Sequence, residues 1–204
     1  MFGNSTIGFL LLITHLLASI TVGFIFRFWK CNIKQSVNTN SSYNNSNENI
    51  SWSNLGGIIG SSISGSINTI LLIGGFVVLF SVIISIMQTS QLLDLFANCL
   101  KPLFNLLNIP SDFGIGFISG ILELTNGLNV ICNIPAKKLS FNIILASFLL
   151  GLGGLSILLQ VWSTIAKTDL SIKPYILGKL MHGCFSALYT YLLLQNFAFF
   201  NFDL

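Results

Sequence analysis

The chain has 204 residues, of which 53% are hydrophobic and 7% charged, with a formal net charge of +3 and a mean hydropathy of +0.83. An average soluble domain carries roughly 25% charged residues, because its whole exterior faces water. A bilayer removes that requirement over a core about 30 Å thick. The composition excludes an ordinary soluble domain. It predicts an all-α, polytopic helical membrane protein with about five hydrophobic segments, including broken or re-entrant helices.

The charged residues and the cysteines indicate no soluble chemistry. The basic residues are scattered, which argues against a nucleic-acid partner, and the four cysteines lie far apart without a CxxC pair. The sequence contains no nucleophile elbow, Gly-rich phosphate loop or metal-spaced His pair. We therefore predict a multi-pass protein of the cell membrane, surrounded by lipid, with no catalytic residue, no metal site and no cofactor.

Four regions follow one another along the chain. Residues 1–30 are predicted to form a transmembrane helix, because their basic residues follow the apolar run, whereas a signal peptide carries its positive charge first. Residues 31–54 form a polar, Asn/Ser-rich loop. Residues 55–195 form the main transmembrane domain, which ends in a plain span at 174–194. Residues 196–204 are a C-terminal tail.

The first part of the main domain combines a small-residue stripe with an amphipathic segment. Gly56, Gly60 and Ser64 recur every four residues, a spacing that lets helix backbones approach closely in lipid. They lead into a span at residues 67–87, and the two stretches together exceed one crossing, so we expect a bend or an interfacial first half. Residues 91–108 carry a narrow polar stripe and are predicted to lie in the interface. The alternative is a stripe that faces a water-filled vestibule.

Two spans are predicted to be interrupted. Residues 113–132 are apolar but carry Ser119, Glu123 and Asn126 at helical spacing, which would place the three on one helical face. Residues 141–166 form a further span, which glycines break in its middle. Interrupted helices at membrane depth are tolerated only where protein or a cavity covers them.

Glu123 is the strongest candidate for a functional residue. A charged side chain at the bilayer centre costs about 2.5–3.5 kcal/mol on insertion scales, so it normally faces a partner or a wet pathway. Thr125 and Asn126 add a hydroxyl and an amide beside it, and Ser156 and Gln160 could face it from the second broken span. These five residues are the predicted solute-binding or ion-binding set, because freed helix ends bind ions and polar substrates.

The alternative for Glu123 is structural. In that interpretation its carboxyl group is protonated, or forms hydrogen bonds with Lys179, His182 or Gln160 that hold helices together. Lys179 and His182 are therefore named as polar partners. If they do not contact Glu123, we expect the Lys179 side chain to extend towards the membrane–water interface, and His182 to pack between helices with its hydrogen bonds made by nearby groups.

Four apolar strings carry a family resemblance. They are IGGFVVLFSVII (residues 73–84), GILELTNGL (120–128), SFLLGLGGLSILLQV (147–161) and TDLSIKPYILGKLMHG (168–183). In this order they resemble the YlbJ-type sporulation integral membrane proteins of endospore-forming Firmicutes. The likeness covers residues 66–194.

The resemblance implies a role in spore formation, at the cortex and coat stage, and a gate-like (nucleoside-recognition) domain at residues 55–195. It implies no enzyme activity and no established substrate. Because that domain is commonly duplicated, the chain resembles the C-terminal half of a longer protein. We expect it to need the N-terminal half as a separate chain, or a second copy of itself, to enclose a site. The alternative function is half of a transporter or channel for a small polar solute such as a nucleoside or an ion.

Overall fold

The computed structural model describes residues 3–28, 55–135, 139–166 and 168–196, so the predicted loop and most of the tail lie outside the described residues. The described residues form eight helices. They are α1 (Ser5–Arg27), α2 (Leu55–Thr89), α3 (Leu92–Leu106), α4 (Phe113–Leu122), α5 (Leu124–Asn133), α6 (Leu139–Leu152), α7 (Gly154–Ile165) and α8 (Lys173–Asn196).

In the described part of the chain, three helical stretches are long and apolar enough to cross a membrane. They are Ser5–Arg27, Leu55–Thr89 and Leu139–Ile165, the last of which combines α6 and α7. The helix α8 has 24 residues, a length of about 36 Å, but Lys179 and His182 make it less apolar. The all-α multi-pass fold is therefore confirmed. The crossing by α8 stays a prediction.

The distribution of side chains is the reverse of that in a soluble protein. Large apolar side chains lie on the outside, with Ile70 and Leu71 about two-thirds exposed, whereas Ser147, Ser186 and Thr190 are fully buried. The hydroxyls of these three residues join in one network, with oxygen–oxygen distances of 2.7 Å from Ser147 to both of the others. Lipid solvates such an apolar exterior, and polar groups then find their partners inside the protein.

The helix α2 is one uninterrupted helix of 35 residues, about 52 Å long. The small-residue stripe and the span predicted at 67–87 therefore belong to one continuous element. Its buried residues are Phe80 and Ile84, and a Cβ added at Gly56 or Gly60 would meet nothing within 4 Å. The close approach predicted for this stripe is thus not made within the described part of the chain.

The amphipathic segment at 91–108 forms α3 as predicted. Its polar stripe is exposed, whereas Leu93, Ala97 and Phe104 are buried against the neighbouring elements. A Cβ added at Gly114 would lie 3.0 Å from the Cβ of Ala97, which shows how closely α3 packs on the start of α4. Phe104 also joins the main apolar cluster, which lies between α3, α4, α5 and α6.

The helices α4 and α5 form an antiparallel hairpin rather than one span. Gly127 faces Gly120, and Gly116 faces Ile131, so the contacts pair positions that lie within one residue of the same distance from a tip at Glu123. Each arm has ten residues, about 15 Å, which is half of the bilayer core. The segment 113–132 is therefore the re-entrant alternative of the predicted fold, not a broken crossing.

The second interruption behaves differently. The helices α6 and α7 are separated by Gly153, whose φ of +83° and that of Gly154, +75°, lie in the left-handed region that favours glycine. The two helices continue in one span instead of folding back. A Cβ added at Gly151 would lie 2.7 Å from the Cα of Gly183, so α6 and α8 pack backbone against backbone. This packing holds the interrupted span in place.

Candidate functional site

Glu123 lies at the tip of the α4–α5 hairpin. Its φ of −144° and ψ of 121° are extended, so the residue ends α4 and starts α5. The prediction that Ser119, Glu123 and Asn126 share one continuous helical face is therefore wrong. The reason is that the chain reverses at Glu123, whereas the periodicity argument assumed an uninterrupted helix. The side chain is nevertheless buried, with 4% of its surface exposed.

The carboxylate of Glu123 caps the first turn of α5. Its Oε1 accepts a hydrogen bond from the backbone N–H of Thr125 (3.0 Å) and from the Thr125 hydroxyl. Its Oε2 accepts from the backbone N–H of Asn126 at 2.8 Å. These bonds satisfy donors that a helix start leaves unpaired, and they place a negative group at the positive end of the helix dipole.

Glu123 forms hydrogen bonds within its own helix start instead of with the partners predicted on other helices. The hydrogen bonds of Glu123 run to Thr125 and Asn126 and not to Lys179, His182 or Gln160, so the proposed cross-helix pairing is wrong. A hydrogen bond to a charged group contributes about 1.5–3 kcal/mol. Three such bonds within four residues keep the carboxylate in place without a cation from another helix.

The start of α7 abuts the hairpin tip. A Cβ added at Gly154 would lie 3.0 Å from the carbonyl oxygen of Gly120 and 3.4 Å from the carbonyl oxygen of Ile121 and the backbone nitrogen of Leu124. The two interruptions therefore touch each other in space. We call residues 120–126 and 153–156 together the break crossing. There the ends of α4 and α6 meet the starts of α5 and α7, where a helix by itself leaves carbonyl and N–H groups unpaired.

Ser156 and Gln160 lie on α7 next to this crossing. Ser156 is 1% exposed, and its Oγ accepts a hydrogen bond of 3.2 Å from the Gln160 side-chain amide. No side chain caps the start of α7. Ser119, one turn before the tip on α4, is fully buried, and its hydroxyl has no hydrogen-bond partner among the residues that the structure describes. The crossing thus contains both satisfied and unsatisfied polar groups.

Asn126 connects the crossing to α2. Its side-chain amide donates to the hydroxyl of Ser81 at 2.8 Å. Ser81 was not predicted as a site residue, since a single serine in an apolar run carries no sequence signal of its partner. Thr125, which donates to Glu123, is exposed on the outer side of the tip. The structure therefore brings Glu123, Thr125 and Asn126 together and adds Ser81.

Lys179 and His182 belong to a different part of the molecule. The Nζ of Lys179 lies 5.9 Å from the centre of the Tyr175 ring and 3.5 Å from the position of a Cβ on Gly153, at the edge of the crossing. The Nε2 of His182 lies 3.1 Å from the backbone oxygen of His15, and the two imidazole rings are 4.3 Å apart. His182 therefore joins α8 to α1.

The crossing gathers polar groups of several kinds. It comprises a carboxylate, hydroxyls, side-chain amides and backbone groups of four helix ends, all at a position that protein covers on one side. Within the described ranges, no three His, Cys, Asp or Glu side chains are grouped so that they could hold a metal ion. The arrangement can bind and orient a ligand by hydrogen bonds.

The comparisons with known proteins agree with this architecture. Residues 70–194 match the Gate family, described as nucleoside recognition. The chain is also 28% identical, over 203 aligned positions, to the sporulation integral membrane protein YlbJ of Bacillus subtilis (strain 168). That alignment covers 94% of this chain and 50% of the relative, so the chain spans about half the length of that relative. No solved structure matches the chain. Because the match covers more than half of its residues, the chain belongs to the Gate family.

Proposed function

We propose that the chain is a non-enzymatic membrane protein of spore formation, at the cortex and coat stage, that carries a gate for a small polar solute at the break crossing. One observation supports this proposal most strongly: a buried carboxylate, Glu123, lies at a re-entrant hairpin tip that abuts a second broken helix at Gly154. The printed name of the B. subtilis relative supports the spore-formation part.

The physical argument for a gate concerns the helix ends. A structural carboxylate is expected to occupy a continuous helix and pair with a cation, whereas Glu123 terminates two short helices. Discontinuous helices cost backbone hydrogen bonds in lipid, and transport proteins use their freed ends to coordinate ions and polar substrates. Glu123 supplies an anionic acceptor there, and Thr125 and Asn126 supply neutral groups.

A gate of this kind needs a second wall. Thr125 is exposed, and α2 presents its small-residue stripe without any contact in the described chain. The relative is about twice as long as the region that matches. We propose that the other half of the gate, as a separate N-terminal chain or as a second copy of this chain, covers the tip and α2. The site is then enclosed in the assembled protein.

Substitutions at Glu123 separate binding from capping. Asn caps a helix as well as Asp or Ser does, so E123N keeps a cap and removes the charge. E123D keeps both charge and cap but moves the carboxylate back by one methylene group. D94N provides the matched control, because Asp94 is an exposed carboxylate on α3, outside the crossing.

The measurement is spore yield in the spore-forming host, together with the amount of protein in the membrane. We expect E123N to accumulate normally but to reduce spore yield at least about tenfold, E123D to recover part of it, and D94N to match the wild type. If E123N sporulates like the wild type, Glu123 serves only as a cap and the gate proposal fails. If E123N and D94N are equally defective, the effect belongs to surface charge and the site is wrong.

A transporter half is the second candidate function, favoured by the same carboxylate at membrane depth. Vesicles that contain both halves are loaded with labelled nucleosides or monovalent cations, and uptake by the wild type is compared with uptake by E123N. Uptake that E123N abolishes supports transport. Absence of uptake for all these solutes rejects the transporter and leaves the sporulation gate to be decided by spore yield.

A further inference from the structure

A cavity of about 390 Å³ lies between α1 and α8, separate from Glu123. The α1 wall contains Ser19, Val22 and Phe26, and the α8 wall contains Tyr175, Lys179 and His182 among its residues. Ligand pockets typically measure about 300–1,000 Å³, so this cavity is large enough for a small molecule or for the head of a larger one.

The described lining of the cavity carries a positive charge without a negative one. Lys179 is half-buried in its wall, and no carboxylate lines it in the part of the chain that the structure describes. The Lys179 ammonium lies over the face of the Tyr175 ring, 5.9 Å from its centre. A cation in a membrane-embedded position normally pairs with an anion or reaches water. Here no protein anion lines the cavity to pair with it.

The mouth of the cavity is also basic. Phe26 contacts Gly178, with 3.6 Å between the ring and a Cβ added at that glycine, so the end of α1 and the start of α8 lie together. Arg27 and Lys173, at these two helix ends, are exposed. Asp169 is the exposed acidic residue that precedes α8 in the described chain. Positive charge from Arg27, Lys173 and Lys179 therefore exceeds the negative charge of Asp169 between this end of the two helices and the cavity.

The remaining wall is shaped by fixed side chains. The His182 ring is held by its contact with the backbone oxygen of His15 (3.1 Å), and it lies against the His15 ring at a tilt of 43°, with 4.3 Å between the ring centres. Val22 and Phe26 supply an apolar surface opposite it. A ligand that fits this wall has an anionic group for Lys179 and an apolar body for the α1 side.

We propose that this cavity binds an anionic amphiphile, with its phosphate or carboxylate group at Lys179 and its apolar part along Val22 and Phe26. The cavity lies on the α1–α8 side of the molecule and borders the break crossing where Lys179 approaches Gly153, but its occupancy is tested without reference to the proposed gate. The anionic group can come from a membrane phospholipid or from a soluble anion. Lys179 is half-buried, so an anionic group paired with it is partly shielded from water, which strengthens the attraction relative to a fully exposed pair.

The test uses the full chain in nanodiscs. Phosphatidylcholine discs are compared with discs that contain phosphatidylglycerol, and inorganic phosphate is added to a third set to represent the soluble anion. Thermal unfolding and lipid retention in native mass spectrometry are measured for the wild type and for K179Q, K101Q and V22W. K101Q removes an exposed lysine on α3, outside the cavity. V22W keeps every charge and fills the cavity.

We expect phosphatidylglycerol to raise the unfolding temperature of the wild type and of K101Q, and K179Q and V22W to retain this lipid at least about tenfold more weakly, as the loss of one charge pair implies. If inorganic phosphate raises the unfolding temperature and phosphatidylglycerol does not, the site is assigned to a soluble anion. If K179Q and V22W retain phosphatidylglycerol as well as K101Q does, and phosphate has no effect, the cavity is not an anion site. If K179Q does not fold, V22W alone decides.

Discussion

Replacement of Gly127 by alanine tests whether the α4–α5 hairpin closes as the structure shows. The added Cβ would lie 2.0 Å from the Cα of Gly120, 2.2 Å from its backbone nitrogen and 2.8 Å from the carbonyl oxygen of Gly116. Carbon atoms in contact stay about 3.5 Å apart, so the arms must separate by about 1.5 Å at this level. The obstructing atoms belong to the backbone, so no side-chain rotation relieves the clash. Overpacking of this kind costs about 1–3 kcal/mol.

The assay is the free energy of unfolding in mixed micelles, measured by titration with a denaturing detergent. Gly74→Ala is the matched control, because a Cβ at Gly74 meets nothing within 4 Å and alanine favours a helix by up to about 1 kcal/mol. We expect Gly127→Ala to be destabilised by about 1–3 kcal/mol and Gly74→Ala to be unchanged or slightly stabilised. Equal stability of the two variants would refute the hairpin.

Three further predictions concern packing and access. Thr190→Val removes a hydroxyl from the buried α6–α8 network and should lower the free energy of unfolding by about 0.6–1.7 kcal/mol in the same titration. An unchanged free energy of unfolding would show that the network does not stabilise the protein. Gly151→Ala places a Cβ 2.7 Å from the Cα of Gly183 and should cost about 1–3 kcal/mol, with Gly74→Ala again as the control. In a chain without native cysteines, purified in detergent without the other half, Thr125→Cys should react much faster with N-ethylmaleimide than Leu128→Cys, since Thr125 is exposed and Leu128 is 3% exposed. Equal labelling rates would contradict an uncovered tip in the isolated chain.

Composition predicted the membrane class, and the glycines in the middle of residues 141–166 predicted the interruption between α6 and α7. A low charged fraction excludes a water-facing surface over the whole chain, whatever the detailed fold. The pair Gly153–Gly154 marks the α6–α7 break because both residues adopt positive φ, which an ordinary residue rarely does. The amphipathic helix α3 was equally predictable, since its periodicity is local and strong.

The hairpin and the partners of Glu123 were not predictable in the same way. Helical periodicity places residues four apart on one face only while the helix continues, and the reversal at Glu123 depends on distant contacts between Gly120 and Gly127. Glutamate is also not among the preferred capping residues, so its bonds to the start of α5 carry little sequence signal. Ser81 is 45 positions away from Asn126, and no local pattern relates the two.

The two interruptions depend on each other physically. A ten-residue arm is too short to cross the bilayer core, so a hairpin of this size that enters the membrane has its tip at Glu123 inside it, where its backbone groups need partners. Glu123 supplies them for the start of α5, and the side-chain-free backbone of Gly154 lets α7 approach the end of α4. The opposite side of the tip, at Thr125, has no such cover within the described residues. The Glu123 carboxylate is buried, whereas the neighbouring Thr125 is exposed, so a ligand would reach the site from the Thr125 side. The proposed second wall would cover this same side, and the two proposals therefore have to be tested together.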